Sequence, residues 1–192
     1  LAQALGPLND LYRLPDSVFN DDNVHTVLTG LDMLVLRTYY SPELRSGMSR
    51  RDVEARLPAI LARINPTGQG RPSFRYASTP RAWIVAVQTA LGPGAGPVKR
   101  RAAAQEAVQI AQTLGWQDHR RAFSHYALGR LTQATNPDFA QRQFTIADKF
   151  YQYGPSTSLH RAYTASQLAA IAVANGHGQE ALALLGNHAN TA

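Results

Sequence analysis

The chain has 192 residues, 44% of them hydrophobic and 17% charged, with a formal net charge of +6 and no cysteine. That length suffices for one domain with a real core, and the lack of cysteine excludes disulfides, thiolate metal sites, cysteine nucleophiles and iron–sulfur clusters. The longest apolar runs fall far short of the ~20 residues a bilayer crossing needs. The opening "LAQALGPLND" lacks the charged start and apolar stretch of a secretory leader, so a cytoplasmic protein without membrane contact is expected, beginning on Leu as a fragment or processed product would.

Helical spacing runs through the sequence, and no sustained two-residue alternation marks a strand. Val24, Val27, Leu28, Leu31, Leu34, Val35 and Tyr39 recur at three-to-four spacing behind the cap candidates Asp21 and Asp22. They predict a helix of about five turns that stops before Ser41-Pro42. In "MSRRDVEARLPAILARINP", Ser49 and Asp52 form a capping-box pattern, and Val53, Leu57, Ile60, Leu61 and Ile64 share one face. Pro58 should kink this helix or split it. Residues 1 to 64 thus read as an N-terminal helical segment, and residues 65 to 80, with three prolines and two glycines, as a linker. Thr79-Pro80 at its end suits an N-cap followed by proline at the first helical position.

From residue 81 the pattern repeats. Residues 81 to 92 and 99 to 115 form one helical pair, 121 to 134 and 139 to 154 a second, and 159 to 176 and 179 to 189 a third. The pairs begin at about 81, 121 and 159, a period of roughly 38 to 40 residues. The second pair carries Leu128-Gly129, then Ala140, Phe144 and Ala147, with Gly154-Pro155 after it. The third carries Ala169 and "NGHGQEALALL", and the first has Ala107 and Ala111 behind a longer turn, "PGAGP".

These small residues, placed where paired helices would cross, make residues 81 to 190 resemble the tetratricopeptide-like helical repeats. The period is longer than the family's ~34 residues, and the family's tryptophan and tyrosine positions are not matched. The resemblance implies an all-α, short right-handed solenoid of helical hairpins, stacked because no pair buries its apolar face alone. In such folds the first helices line a concave groove. Tyr126, Arg130 and Gln133, with Tyr163, Gln167 and Ala170, would then face a protein or peptide segment, unless the tyrosines belong to the core. The third pair also resembles the helical sensor half of bacterial helix-turn-helix regulators.

Gly176 and Gly178 read as a turn between helices, with Glu180 complementing the next helix's dipole. A dinucleotide fingerprint would have to follow a strand. The six histidines, His25, His119, His125, His160, His177 and His188, show no i, i+4 pair and no companion carboxylate at ligand spacing, so no metal and no cofactor is expected. His119 and His177 are expected at helix ends, stabilising the last carbonyls. Ser124 and His125 are neighbours on one helix and point about 100 degrees apart, which spoils a nucleophile–base pair.

Charge is uneven. Residues 1 to 48 hold Arg13, Arg37 and Arg45 against Asp10, Asp16, Asp21, Asp22, Asp32 and Glu43, whereas residues 55 to 105 hold eight cations and no acid. Arginines interleaved with Phe74, Tyr76 and Trp83 could stack bases and contact phosphates. Lys99, Arg100 and Arg101 open a helix, an electrostatically unfavourable place that argues for an anionic partner. The expected function is a non-enzymatic protein- or peptide-binding module. The alternatives are nucleic-acid binding through Arg71, Arg75, Lys99, Arg100 and Arg101, or the sensor domain of a transcription regulator. Partner identity and oligomeric state stay open.

Overall fold

The computed structural model describes residues 5–6, 12–20, 24–70, 77–154, 156–189 and 191. Among them are eight α-helices and no strand, so the protein is all-α. None of these helices is long and apolar enough to cross a membrane. The chain divides into two compact units, Leu1–Ala77 and Ser78–Ala192, with the division inside the segment 65 to 80.

The first unit holds a 3-10 turn at Val18–Asn20, α1 (Gly30–Tyr39), α2 (Arg50–Ile64) and a second 3-10 turn at Pro66–Gly68. Helix α1 has ten residues, shorter than its apolar spacing predicts, and Val24, Val27 and Leu28 precede it. The reason is a capping box about two turns later than expected. Thr29 Oγ1 accepts from the Asp32 N–H (3.2 Å), and the Asp32 carboxylate accepts from the Thr29 N–H (2.8 Å). The cap candidates Asp21 and Asp22 lie outside the described residues.

Asp32 does more than cap its helix. Its oxygens also accept from Ser17 Oγ (2.6 Å) and the Val18 N–H (3.0 Å), tying the 3-10 turn to the start of α1. Burial pushes this fully buried carboxyl up, but the bonds from Ser17, Val18 and Thr29 outweigh it and hold it below the usual range.

Helix α2 runs unbroken through Pro58, so the expected split does not occur. Pro58 is exposed, so the carbonyl it leaves without an N–H partner stands on the water side. Ser49 caps α2 as read, accepting from the Asp52 N–H at 3.2 Å. The five apolar residues assigned to one face are the ones withdrawn from solvent, with Ile60 fully buried.

The second unit is α3 (Arg81–Leu91), α4 (Pro97–Thr113), α5 (His119–Thr132), α6 (Pro137–Gln152), α7 (Ser158–Ala174) and α8 (Gly178–Gly186), each packed on the next. Helices α3, α5 and α7 begin at 81, 119 and 158, so the hairpins recur after 38 and 39 residues. Small residues set the packing: Ala103, Ala104, Ala107 and Ala111 are the buried alanines of α4, and Ala140 and Ala147 flank Phe144 on α6. Gly129 of α5 lies so close to the Phe144 ring that a β-carbon there would be 2.7 Å from Cε1.

Polar ties join successive hairpins. Trp83 Nε1 donates to Ser124 Oγ (2.9 Å), which donates in turn to the Arg120 carbonyl (2.8 Å). The buried Arg120 guanidinium pairs with Asp118 at 2.6 Å, donates to Thr79 Oγ1 at 3.0 Å, and sits 3.9 Å over the Trp116 ring. Thr79 therefore serves Arg120 rather than capping α3, which has Pro80 in the N-cap place and starts at Arg81. Asp118 and Asn136 cap α5 and α6 by accepting from the N–H groups of Arg120 and Phe139.

Candidate partner-binding surfaces

Helix α8 packs on α7 through small residues, Ala181 against Ala169 and Ala172, with Leu184 alongside. One turn of that register leaves two leucines outward: Leu182 is 64% exposed and Leu185 44%. Together with Leu159, Ala162, Tyr163 and His188 they line an open cleft of 560 Å³ between the two helices. Its lining includes no Lys, Arg, Asp or Glu. Tyr163, itself 39% exposed, stands in one wall.

The five residues assigned to a concave groove are placed as follows. Tyr126 is half-buried, its ring 5.7 Å from that of Phe144, and it packs on the cluster of Ala140, Phe144 and Ile171 together with Leu168. Arg130 is exposed and donates to the Tyr126 hydroxyl at 3.3 Å. Gln133 falls just past α5, as its C-cap, with its N–H bonded to the Gly129 carbonyl. Tyr163 lines the α7–α8 cleft, and Gln167, half-buried one turn on, does not. The structure thus joins Tyr126 to Arg130 and places Tyr163 in the wall of the α7–α8 cleft.

The basic block is also sorted. Arg100 is not free for an outside anion: its Nε donates to the Ala90 carbonyl (2.7 Å) and its NH2 group to that of Leu91 (3.4 Å), closing the C-terminus of α3. A cation misplaced on its own helix is well placed on the preceding one. Lys99 is exposed, and Arg101 lies along a groove of 410 Å³ with Val98, Gln105, Thr135 and Asn136. Arg71 and Arg75, with Phe74 and Tyr76, lie outside the described residues. Trp83 is fully buried and presents no ring to a base.

The histidines scatter, and among the described residues no three of His, Asp or Glu converge as a metal would require. His119 and His177 stand at helix N-termini, as the first residue of α5 and the N-cap of α8, and the His177 N–H also donates to the Ala172 carbonyl in the last turn of α7 (2.8 Å). The His177 imidazole approaches Glu180, Nδ1 to Oε2 at 3.5 Å. His125 donates from Nδ1 to Gln143 Oε1 (2.8 Å) and stacks on Phe150, the rings 6.3 Å apart and 7° from parallel. Burial pushes its pKa down, the Arg121 charge adds to that, and the bond to Gln143 opposes it. Ser124 is committed to Trp83 and Arg120, away from His125.

Sequence reasoning missed the α7–α8 cleft, although Leu182 and Leu185, three apart on a short helix, were in view. What it could not supply was which of five apolar residues α7 would cover.

The family described as "Protein of unknown function (DUF2927)" matches residues 1–59, less than a third of the chain. No curated protein and no solved structure matches the chain.

Proposed function

We propose that the protein is a non-enzymatic binding module whose hairpins stack as a short right-handed, tetratricopeptide-like solenoid, and that the α7–α8 cleft receives an amphipathic helix of another protein. The observation that carries the reading is the uncharged cleft with Leu182, Leu185 and Tyr163 exposed along it. Isolated exposed leucines are ordinary, but a concave run of them with an aromatic wall is what a helix's apolar stripe fits. The occupant is argued from continuity with the stack. One hairpin earlier, α7 lays Leu168 and Ile171 onto Tyr126, Ala140 and Phe144 of α5 and α6. The α7–α8 face offers the same kind of surface, so a further helix is its natural cover. Phosphate recognition has less support, since Arg100 is occupied within the fold.

The test is selection of displayed amphipathic helical peptides against the full chain, followed by affinity measurement. Selected peptides should share apolar residues at i, i+3 or i+4, and i+7. Leu185→Asp or Leu182→Asp should weaken them at least about tenfold, the loss expected when charge is forced into an apolar contact. Charge reversal at Lys99 and Arg101 should leave them unchanged. Peptides without that spacing, or indifferent to Leu185→Asp, would refute the proposal. Fluorescence anisotropy with labelled DNA and RNA at low salt decides the nucleic-acid reading: steeply salt-dependent binding lost on reversal at Lys99 and Arg101 would establish it instead.

A further inference from the structure

A second site lies in the first unit, independent of the cleft above. The C-terminus of α1 and the loop to α2 form a pocket of 620 Å³ whose walls include Tyr39, Tyr40, Pro42, Leu44, Arg45 and Val53. That volume is within the ~300–1,000 Å³ typical of small-ligand sites.

Its aromatic corner is held in place although it is exposed. Tyr39 and Tyr40 are 52% and 65% exposed, with ring centroids 5.1 Å apart and planes at 83°. Perpendicular rings leave an angle in which a third flat ring can lie face-on to one and edge-on to the other. Neither ring is loose. The Tyr40 hydroxyl donates to the Leu5 carbonyl at 2.8 Å, and Gly6 backs Tyr39 so closely that a β-carbon there would lie 2.7 Å from its Cε1.

The loop carrying the cation is fixed too. The Leu44 N–H donates to the Ser41 carbonyl (2.9 Å), the Met48 N–H to that of Arg45 (3.3 Å), and Gly47 turns at φ +83°. Arg63 ties the loop to α2 by donating to Ser41 Oγ (3.0 Å) and Glu43 Oε1 (2.7 Å), and Ser41 donates to Glu43 in turn. That network occupies the loop's one carboxylate, and Glu43 is held below its usual pKa by its bonds to Ser41, its own N–H and Arg63. Arg45 is left on the pocket wall with its guanidinium paired to no described side chain.

We propose that this pocket binds a planar aromatic anion, its ring in the Tyr39–Tyr40 corner and its carboxylate or phosphate on the Arg45 guanidinium. Two pinned rings and a fixed loop lower the ordering cost of such a complex. Arginine is suited to the anion because its planar fork meets two oxygens at once.

Calorimetric titration of the full chain with 4-hydroxybenzoate and adenosine monophosphate tests both anion types. Phenol and adenosine serve as rings without the charge, and acetate and inorganic phosphate as charges without the ring. At least one ring-bearing anion should bind, with its uncharged and ringless counterparts each at least about tenfold weaker. Arg45→Gln, an exposed change that leaves the fold intact, should weaken that anion roughly tenfold to a hundredfold. Tyr39→Ala or Tyr40→Ala should weaken it roughly twofold to tenfold. Which anion wins separates carboxylate from phosphate ligands. No binding by either anion at millimolar concentration, or binding unaffected by Arg45→Gln, overturns the proposal.

Discussion

Replacing Gly129 by Ala should destabilise the second unit, although the same change stabilises most helices. Gly→Ala inside an exposed helix gains about 1 kcal/mol. At Gly129 the added β-carbon would stand 2.7, 2.9 and 3.0 Å from Cε1, Cδ1 and Cζ of Phe144, where ordinary contact begins at 3.4 Å. The ring would have to retreat, yet it is fully buried against Ala140 and Ile171, with Tyr126 beside it. Overpacking of that kind costs about 1–3 kcal/mol, so the net loss should be about 1 kcal/mol. Both tryptophans, Trp83 and Trp116, belong to the second unit, so urea unfolding followed by tryptophan fluorescence reads that unit directly. Gly186→Ala, where nothing lies within 4 Å of the new carbon, is the control and should be neutral or stabilising. Phe144→Ala alone should cost about 3–5 kcal/mol, and in that background Gly129→Ala should change sign and stabilise. Stabilisation by Gly129→Ala in the wild type, or equal loss in both backgrounds, would refute the packing account.

Asp32→Ala should strip acceptors from Ser17 Oγ and the N–H groups of Val18 and Thr29, costing about 3–5 kcal/mol across the three bonds. Asp32→Asn should cost less, because its amide oxygen can keep both N–H groups. Hydrogen exchange at Val18 and Thr29 should quicken from wild type to Asn to Ala, and equal protection in all three would count against the assignment. His125 gives a pH dependence of known sign. Its folded pKa is lowered, mainly by burial, so below the unfolded value of about 6.5 the unfolded chain takes up a proton the native one refuses. Its contribution is complete above that pH and declines as pH falls toward the folded value, by at most ~1.4 kcal/mol per pH unit. His125→Gln should show a shallower fall in stability between pH 7 and 5 than wild type, and parallel curves would exclude His125 as a source.

What was legible in the sequence was what neighbouring residues decide. The three-to-four spacing gave five of the second unit's six helices to within two residues at each end and α8 to within three, close to the usual uncertainty of helix ends. Gly176 does turn at φ +80° between α7 and α8, as the paired glycines suggested. Local rules failed where two candidates competed. Thr29–Asp32 closed a capping box inside an apolar run that the spacing alone would have made helical from Val24. Pro58 predicts a kink or a split because sequence does not say which side of a helix faces water, and an exposed proline can be carried without a split. Beyond that, the decisive partners are distant in sequence: Asp32 with Ser17, Arg120 with Thr79, Trp83 with Ser124. Nothing at those positions announces the other member.

Arg100 shows how far this matters for inferring function. Taken along one helix, a cation in the first turn opposes the dipole, and the conflict argues for an anionic partner. Consecutive helices in a hairpin place the start of one beside the end of the other, so a cation there meets carbonyls rather than N–H groups. The guanidinium lies 2.7 Å from the Ala90 carbonyl oxygen, and the conflict is resolved inside the chain. Charge in a helical-hairpin protein therefore indicates an outside ligand only after the neighbouring helix end has been given its share. By that criterion Arg100 drops out of the search for ligands and Arg45 stays in it, since the carboxylate nearest it in its loop is already held by Arg63 and Ser41.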